Sequence, residues 1–125
     1  GHFCPSTVMM ALADAIPDQV QAPGCDSIWN SQLEGLVAGV AGDRGQRFAY
    51  IWFSSGGTGA MQGKDGLSAA AYPSGVAGVP VEVIETLSPV LMHKRELRAD
   101  SGGPGTWRGG LGQVMEFEVR TGRPF

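Results

Sequence analysis

Glycine placement constrains this chain more than any other feature. Of its twenty glycines, six fall in residues 1–55 and fourteen in residues 56–125. Glycine either turns the chain through conformations closed to other residues or lets two backbones approach with no Cβ between them. The second half is therefore expected to be built from tight turns and close main-chain contacts that join short strands. With 125 residues, 42% of them apolar, the chain is long enough for one core and too short for two.

The net charge is −3, and the nine cations, seven of them Arg, form no cluster. That distribution argues against a nucleic-acid partner, whose grip depends on phosphate neutralisation. Cys4 and Cys25 are too few for a disulfide framework or a zinc site and read as small buried residues. No apolar run approaches the roughly 18–20 residues of a membrane span. A cytoplasmic protein with no membrane partner is the expectation. The start, Gly1-His2-Phe3, has neither an initiator Met nor the basic region of a signal peptide, and Thr121–Phe125 follows directly on a strand-like run. Residues 1–125 are accordingly expected to be a single partial domain, a segment of a larger subunit.

Local patterns divide the chain into one helix and about five strands. Residues 6–16 place Val8, Leu12 and Ala15/Ile16 on one face, with Ser6 or Thr7 as cap and Pro17 as terminator. Strands are expected over 26–34, 47–54, 79–85, 90–98 and 112–120, and a helical turn over 67–72. A long hairpin loop, Gly35 to Gln46 with its Asp43-Arg44-Gly45 turn, joins the first two strands. In the last strand Met115, Phe117 and Val119 face one way and Glu116, Glu118 and Arg120 the other. Trp29, Tyr50, Trp52 and Phe53 read mostly as core, and any of that aromatic surface left uncovered favours self-association. The connections are too short for crossover helices. The expected class is α+β: one N-terminal helix packed on a mostly antiparallel, glycine-rich sheet.

Two motifs imitate known chemistry without its requirements. Asp100-Ser101-Gly102-Gly103-Pro104 spells the pentapeptide around the nucleophile of trypsin-like serine proteases. That mechanism needs a histidine and a buried aspartate in line with the serine, and His2 and His93 sit in the wrong contexts. Ser101 reads as a turn serine, and His93 as a satisfied sheet histidine. The stretch Ser54 to Gly66 follows a strand as a phosphate loop would. However, Thr58 stands where the first P-loop glycine belongs, and Asp65 stands where a hydroxyl should follow Lys64. A dinucleotide loop fails at Gln62. Two readings stay open for Gly57 and Gly59, an anion-binding nest of N–H groups or close packing.

Read in order, several segments carry a resemblance. These are Cys25-Asp-Ser-Ile-Trp-Asn30, Phe53-Ser-Ser-Gly-Gly-Thr-Gly-Ala60, Gly63-Lys-Asp-Gly-Leu-Ser68, Tyr72-Pro-Ser-Gly75, Val79–Glu85 and Glu96–Gln113. Together they resemble the hydantoinase B/oxoprolinase family, matching a stretch of the C-terminal half of a B-type subunit. The resemblance implies a parent that opens cyclic amides with ATP, of the N-methylhydantoinase or 5-oxoprolinase type. Acetone and acetophenone carboxylase subunits of the same superfamily are the alternative, and a non-catalytic assembly module is a third. It further implies an A-type ATP-binding partner subunit, and ATP and a divalent metal in the complete complex. The metal ligands lie upstream of the matched stretch, so none falls here. This segment is expected to bind no cofactor and to be inactive alone.

Within that frame the substrate- or phosphate-binding candidates are Gly57, Gly59, Lys64, Asp65, Arg98 and Arg108. Lys64 and Asp65 end a glycine loop, which fits either a functional loop or a solvated turn. Arg98 and Arg108 flank the Asp100–Gly105 turn, where a guanidinium fork suits carboxylate or phosphate. The structural alternative pairs Arg98 with Asp100 and Arg108 with Glu96. Glu82 and Glu85 fall on opposite faces of the expected strand and make no acid/base pair there.

Overall fold

The computed structural model describes residues 1–38 and 45–122. Its elements run α1 (Phe3–Leu12), β1 (Ile28–Val37), β2 (Gln46–Ser55), α2 (Val81–Leu87), β3 (Val90–Leu97) and β4 (Gln113–Val119). The class is α+β, and both pairings are antiparallel. The strands form two separate two-stranded ribbons, β1–β2 and β3–β4, in place of one sheet.

Ribbon β1–β2 pairs without interruption from Ile28↔Ser55 to Val37↔Gln46. The strands extend further into the expected hairpin loop than its four glycines implied. Of that loop, residues 39–44, including Asp43 and Arg44, lie outside the described residues. Phe48, Tyr50, Trp52 and Ser54 turn one face of β2 inward, as period-2 alternation requires. Ribbon β3–β4 runs from Val90↔Val119 to Leu97↔Gln113, with a bulge between Met92 and Lys94. The bulge leaves His93 outward, 3.3 Å from Glu118 Oε2. Lys94, beside it, donates to Glu96 at 2.8 Å, and that hydrogen bond and charge raise its pKa.

The segment expected as a fifth strand, 79–85, is instead helix α2. Over seven residues a period of 2 and a period of 3.6 are hard to separate. Pro80 decides the matter. Fixed at φ −58° and ψ 147°, it stands at the N-cap, and its carbonyl accepts the N–H groups of Val83 and Ile84. Glu82 in the first turn complements the helix dipole, and Ser88 Oγ donates to Ile84 O at 2.6 Å. Glu85 reaches over to accept the Met92 N–H at 2.8 Å, tying α2 to β3.

Helix α1 begins three residues before its expected start and ends four before its expected end. Pro5 is accepted because the N–H groups of a first turn have no helical partner. Ser6, expected as a cap, lies inside the helix as its buried residue and donates to Asp26 Oδ1 at 2.6 Å. The face expected to be buried is not: Val8 is 57% exposed and Leu12 41%. No helix forms over 67–72, where Ala69 adopts φ 52° and its N–H pairs with Leu111 O.

Trp52, Ile84 and Val90 form the buried centre, with Tyr50, Met92 and Phe117 packed against them. Trp52 meets Phe117 edge-to-face at 5.3 Å between centroids, which joins the two ribbons. Gln113 Nε2 donating to Ser55 O at 2.7 Å and Ser54 Oγ donating to Met115 Sδ at 3.4 Å reinforce the joint. The cross-strand partners Ser31 and Trp52 carry buried polar atoms, Oγ and Nε1, with no hydrogen-bond partner among the described residues. Among those residues no helix is long and apolar enough to cross a membrane.

Truncating Trp52 to Ala should cost about 3–5 kcal/mol, because it empties the joint between ribbons. Ser31→Ala should leave stability unchanged within about 0.5 kcal/mol or raise it, since the hydroxyl it removes is already unpaired. Urea denaturation of both variants checks the contrast.

Candidate functional site

Beyond β2 the chain continues as an extended glycine segment, Gly56–Gly59, laid between two other stretches of backbone. On one side Cys25 N–H donates to Gly57 O at 3.0 Å and Ala22 N–H to Ala60 O at 2.8 Å. On the other, Thr58 N–H donates to Leu67 O, and Gly110 N–H to Thr58 O, both at 2.9 Å. Gly66 N–H reaches Arg108 O at 2.7 Å, and Asp65 Oδ1 accepts the Arg108 N–H at 2.7 Å. Backbones this close leave no room for side chains. A Cβ on Gly57 would collide with the Gly110 carbonyl, on Gly59 with the Ala22 carbonyl, and on Gly110 with the Leu67 carbonyl.

The glycines of 102–112 could supply either left-handed turns or backbone packing, and Gly102, Gly109 and Gly110 supply packing. Positive φ in that region falls on Asp100, at 56°, and on none of the glycines. Gly103 in particular has open space where a Cβ would stand. At Gly57–Gly59 the Thr58 N–H, which an anion nest would turn outward, is engaged by Leu67 O.

The laced segments and the two ribbons enclose a cavity of about 520 Å³, within the usual range for small-molecule sites. Gly57, Gly59 and Arg98 line it, whereas Lys64, Asp65 and Arg108 lie outside it. Lys64 projects from the Met61–Lys64 turn, whose two backbone hydrogen bonds are both 3.0 Å, with Gly63 at φ +83°. Asp65 and Arg108 are linked, through Arg108's backbone and not its guanidinium. The pairings Arg98–Asp100 and Arg108–Glu96 do not form, and Glu96 pairs with Lys94. Arg98 is held by its main chain alone: its N–H donates to Gly112 O at 2.9 Å and its carbonyl accepts Ser101 Oγ–H at 2.7 Å. Ser101 Oγ also accepts the Gly112 N–H at 2.9 Å, which makes it a turn hydroxyl and not an activated nucleophile.

Sequence reasoning missed several walls of this cavity. Trp29, expected in the core, is 59% exposed and lines it together with Trp107. Cys25, expected to be buried, is exposed at its edge, and Cys4 is exposed as well. Trp107 had a readable signal, as an aromatic stranded in a glycine loop, where burial in the core is hardest. Among the described residues no three His, Cys, Asp or Glu side chains group as metal ligands would.

The described residues form an α+β fold with a cavity beside its two ribbons. The hydantoinase B/oxoprolinase family model matches residues 1–124. The chain is 32% identical over 118 residues to a Pseudomonas sp. (strain NS671) protein described as the B-type subunit of a D-/L-hydantoinase, covering 93% of this chain and 19% of that one. It is 29% identical to the beta subunit of the caprolactamase from Pseudomonas jessenii, over 92% of this chain and 21% of that one. Among solved structures it resembles nucleotide-free acetone carboxylase, with TM-score 0.65 and 28% identity over 86% of this chain and 14% of that chain. The chain belongs to the hydantoinase B/oxoprolinase family. It spans about a fifth of the length of the two named relatives.

Gly57→Ala and Gly110→Ala should each destabilise the fold by about 1–3 kcal/mol or more through over-packing. Gly103→Ala should stay within about 0.5 kcal/mol. Asp65→Ala should lose the hydrogen bond to Arg108, whereas Asp65→Asn keeps an acceptor and should keep the stability. Chemical denaturation midpoints of these variants give the comparison.

Proposed function

We propose that this chain is part of the B-type subunit of an ATP-dependent hydrolase of cyclic amides, of the N-methylhydantoinase or 5-oxoprolinase type. The subunit works with an A-type ATP-binding partner in the cytoplasm. The observation that carries this reading is the family match over residues 1–124, taken with relatives named for hydantoin and caprolactam rings. The subunit designations of those relatives support a multi-subunit assembly.

A ring amide carbonyl is a weak electrophile because nitrogen lone-pair donation stabilises it. Phosphorylating the carbonyl oxygen activates the carbon; water adds to it, the C–N bond breaks as the nitrogen takes up a proton, and hydrolysis of the resulting acyl phosphate releases inorganic phosphate and the carboxylate. The contribution of this portion is a shaped, water-limiting wall: backbone locked by the Gly57–Gly110 contact, two indole faces, and a guanidinium. ATP enters through the partner subunit, and a divalent metal, if the parent uses one, is held outside these residues.

A second reading, a carboxylase subunit, is favoured by the fold likeness to acetone carboxylase. The two separate in one experiment. The full-length subunit with its A-type partner, given ATP and a panel of hydantoins, lactams and ketones, should open rings without bicarbonate. Ketone consumption that requires bicarbonate would establish the carboxylase instead. Residues 1–125 alone should turn over neither ATP nor hydantoin. In the complete complex Ser101→Ala should retain turnover within about a few-fold, far short of the 10²–10⁴ lost with a true nucleophile or base. A folded but inactive Ser101→Ala complex would make Ser101 part of the chemistry.

A further inference from the structure

We infer that the cavity is a carboxylate-binding site and takes the ring-opened product, not the neutral ring. The inference rests on the cyclic-amide reading above and adds to it the charge state of the bound species. Arg98 is the one charged residue among those described that line the cavity, in a chain whose net charge is −3. Its guanidinium has no ion-pair or hydrogen-bond partner among the described residues, while its backbone is pinned at both the N–H and the carbonyl. A fixed backbone behind an uncommitted guanidinium suits a ligand better than a structural pair does.

The walls complete the recognition. Trp29 and Trp107 offer flat apolar faces, and Gln113 is already committed, donating to Ser55 O and accepting from Arg95. Such a site favours a small body of apolar or planar character that ends in an anion. Amide ring opening makes one: the oxygen of water bonds to the carbonyl carbon, the C–N bond breaks, the nitrogen takes up one proton of that water, and the new carboxylic acid releases the other to become a carboxylate. The hydantoin and caprolactam rings for which the relatives are named carry no such charge. The site therefore discriminates product from substrate by charge, holding the opened chain so that it does not re-close.

The test uses the full-length subunit in complex with its partner, without ATP, titrated by calorimetry with N-carbamoylglycine, with hydantoin and with inorganic phosphate. N-carbamoylglycine should bind more tightly than either of the others. Arg98→Gln should weaken it by about tenfold, and Arg98→Lys by less, since charge remains but the fork is lost. Trp107→Ala should weaken it with the charge intact. Equal affinity in wild type and Arg98→Gln overturns the inference, as does tighter binding of hydantoin or phosphate than of N-carbamoylglycine. ATP-dependent ring opening with no Arg98-dependent carboxylate binding would sink this inference and leave the proposed function standing. Absence of ring opening in the same complex would sink that function by itself.

Discussion

Main chain packed directly on main chain is the constraint on which the rest of this structure depends. Gly57, Gly59 and Gly110 bring three segments close enough for their peptide groups to bond, and the carbonyls they face exclude any Cβ. Each lost side chain raises the entropy of the unfolded chain, so such runs weaken a fold unless contact compensates. Here the compensation is a lattice of peptide hydrogen bonds with donors and acceptors at 2.7–3.0 Å. The lattice turns a composition that would otherwise be loop into a rigid cavity wall. It also explains why a chain with only three buried apolar residues among those described holds a defined shape.

The core is correspondingly small. Trp52 reaches across to Phe117, Ile84 plugs the gap under α2, and much apolar surface stays outside, with Phe3 68% and Leu87 62% exposed. Exposed apolar area of this extent is unusual for an isolated soluble domain. It accords with a chain that spans about a fifth of the relatives it matches.

Much of this is legible in the residues, and the parts that are not have identifiable causes. Strands β3 and β4 announce themselves by alternation and β2 by its aromatic residues, and the Met115/Phe117/Val119 face forms as that alternation requires. Helix α2 imitates a strand because Val79, Val81 and Val83 alternate, while the deciding influence, Pro80 at the N-cap, acts through one backbone angle pair. Helix α1 is shifted because its apolar stripe does not meet the core, so periodicity has nothing to report. At the cavity, Arg98 stands out in the sequence by its nearness to the glycine turn. Lys64, a candidate on motif grounds, lies outside the cavity because the turn that carries it closes on itself. Trp29 reads as core from hydrophobicity alone, which cannot tell the inner face of a ribbon from the wall of a cleft.

The joint between ribbons has a consequence for how the cavity can change. Tyr50, Trp52 and Ser54 occupy one pleated face of β2, and Met115 and Phe117 one face of β4. Trp52 and Phe117 are core, while Ser54 and Met115, one pleat further on, bond to each other and floor the cavity. Core and cavity floor are thus successive notches of one rack. A change of side-chain volume at 117 is therefore felt at the cavity floor. Because Gly57 follows β2 and Gly110 precedes β4, with Gly110 N–H donating to Thr58 O, the same change also loads the glycine lattice that walls the cavity.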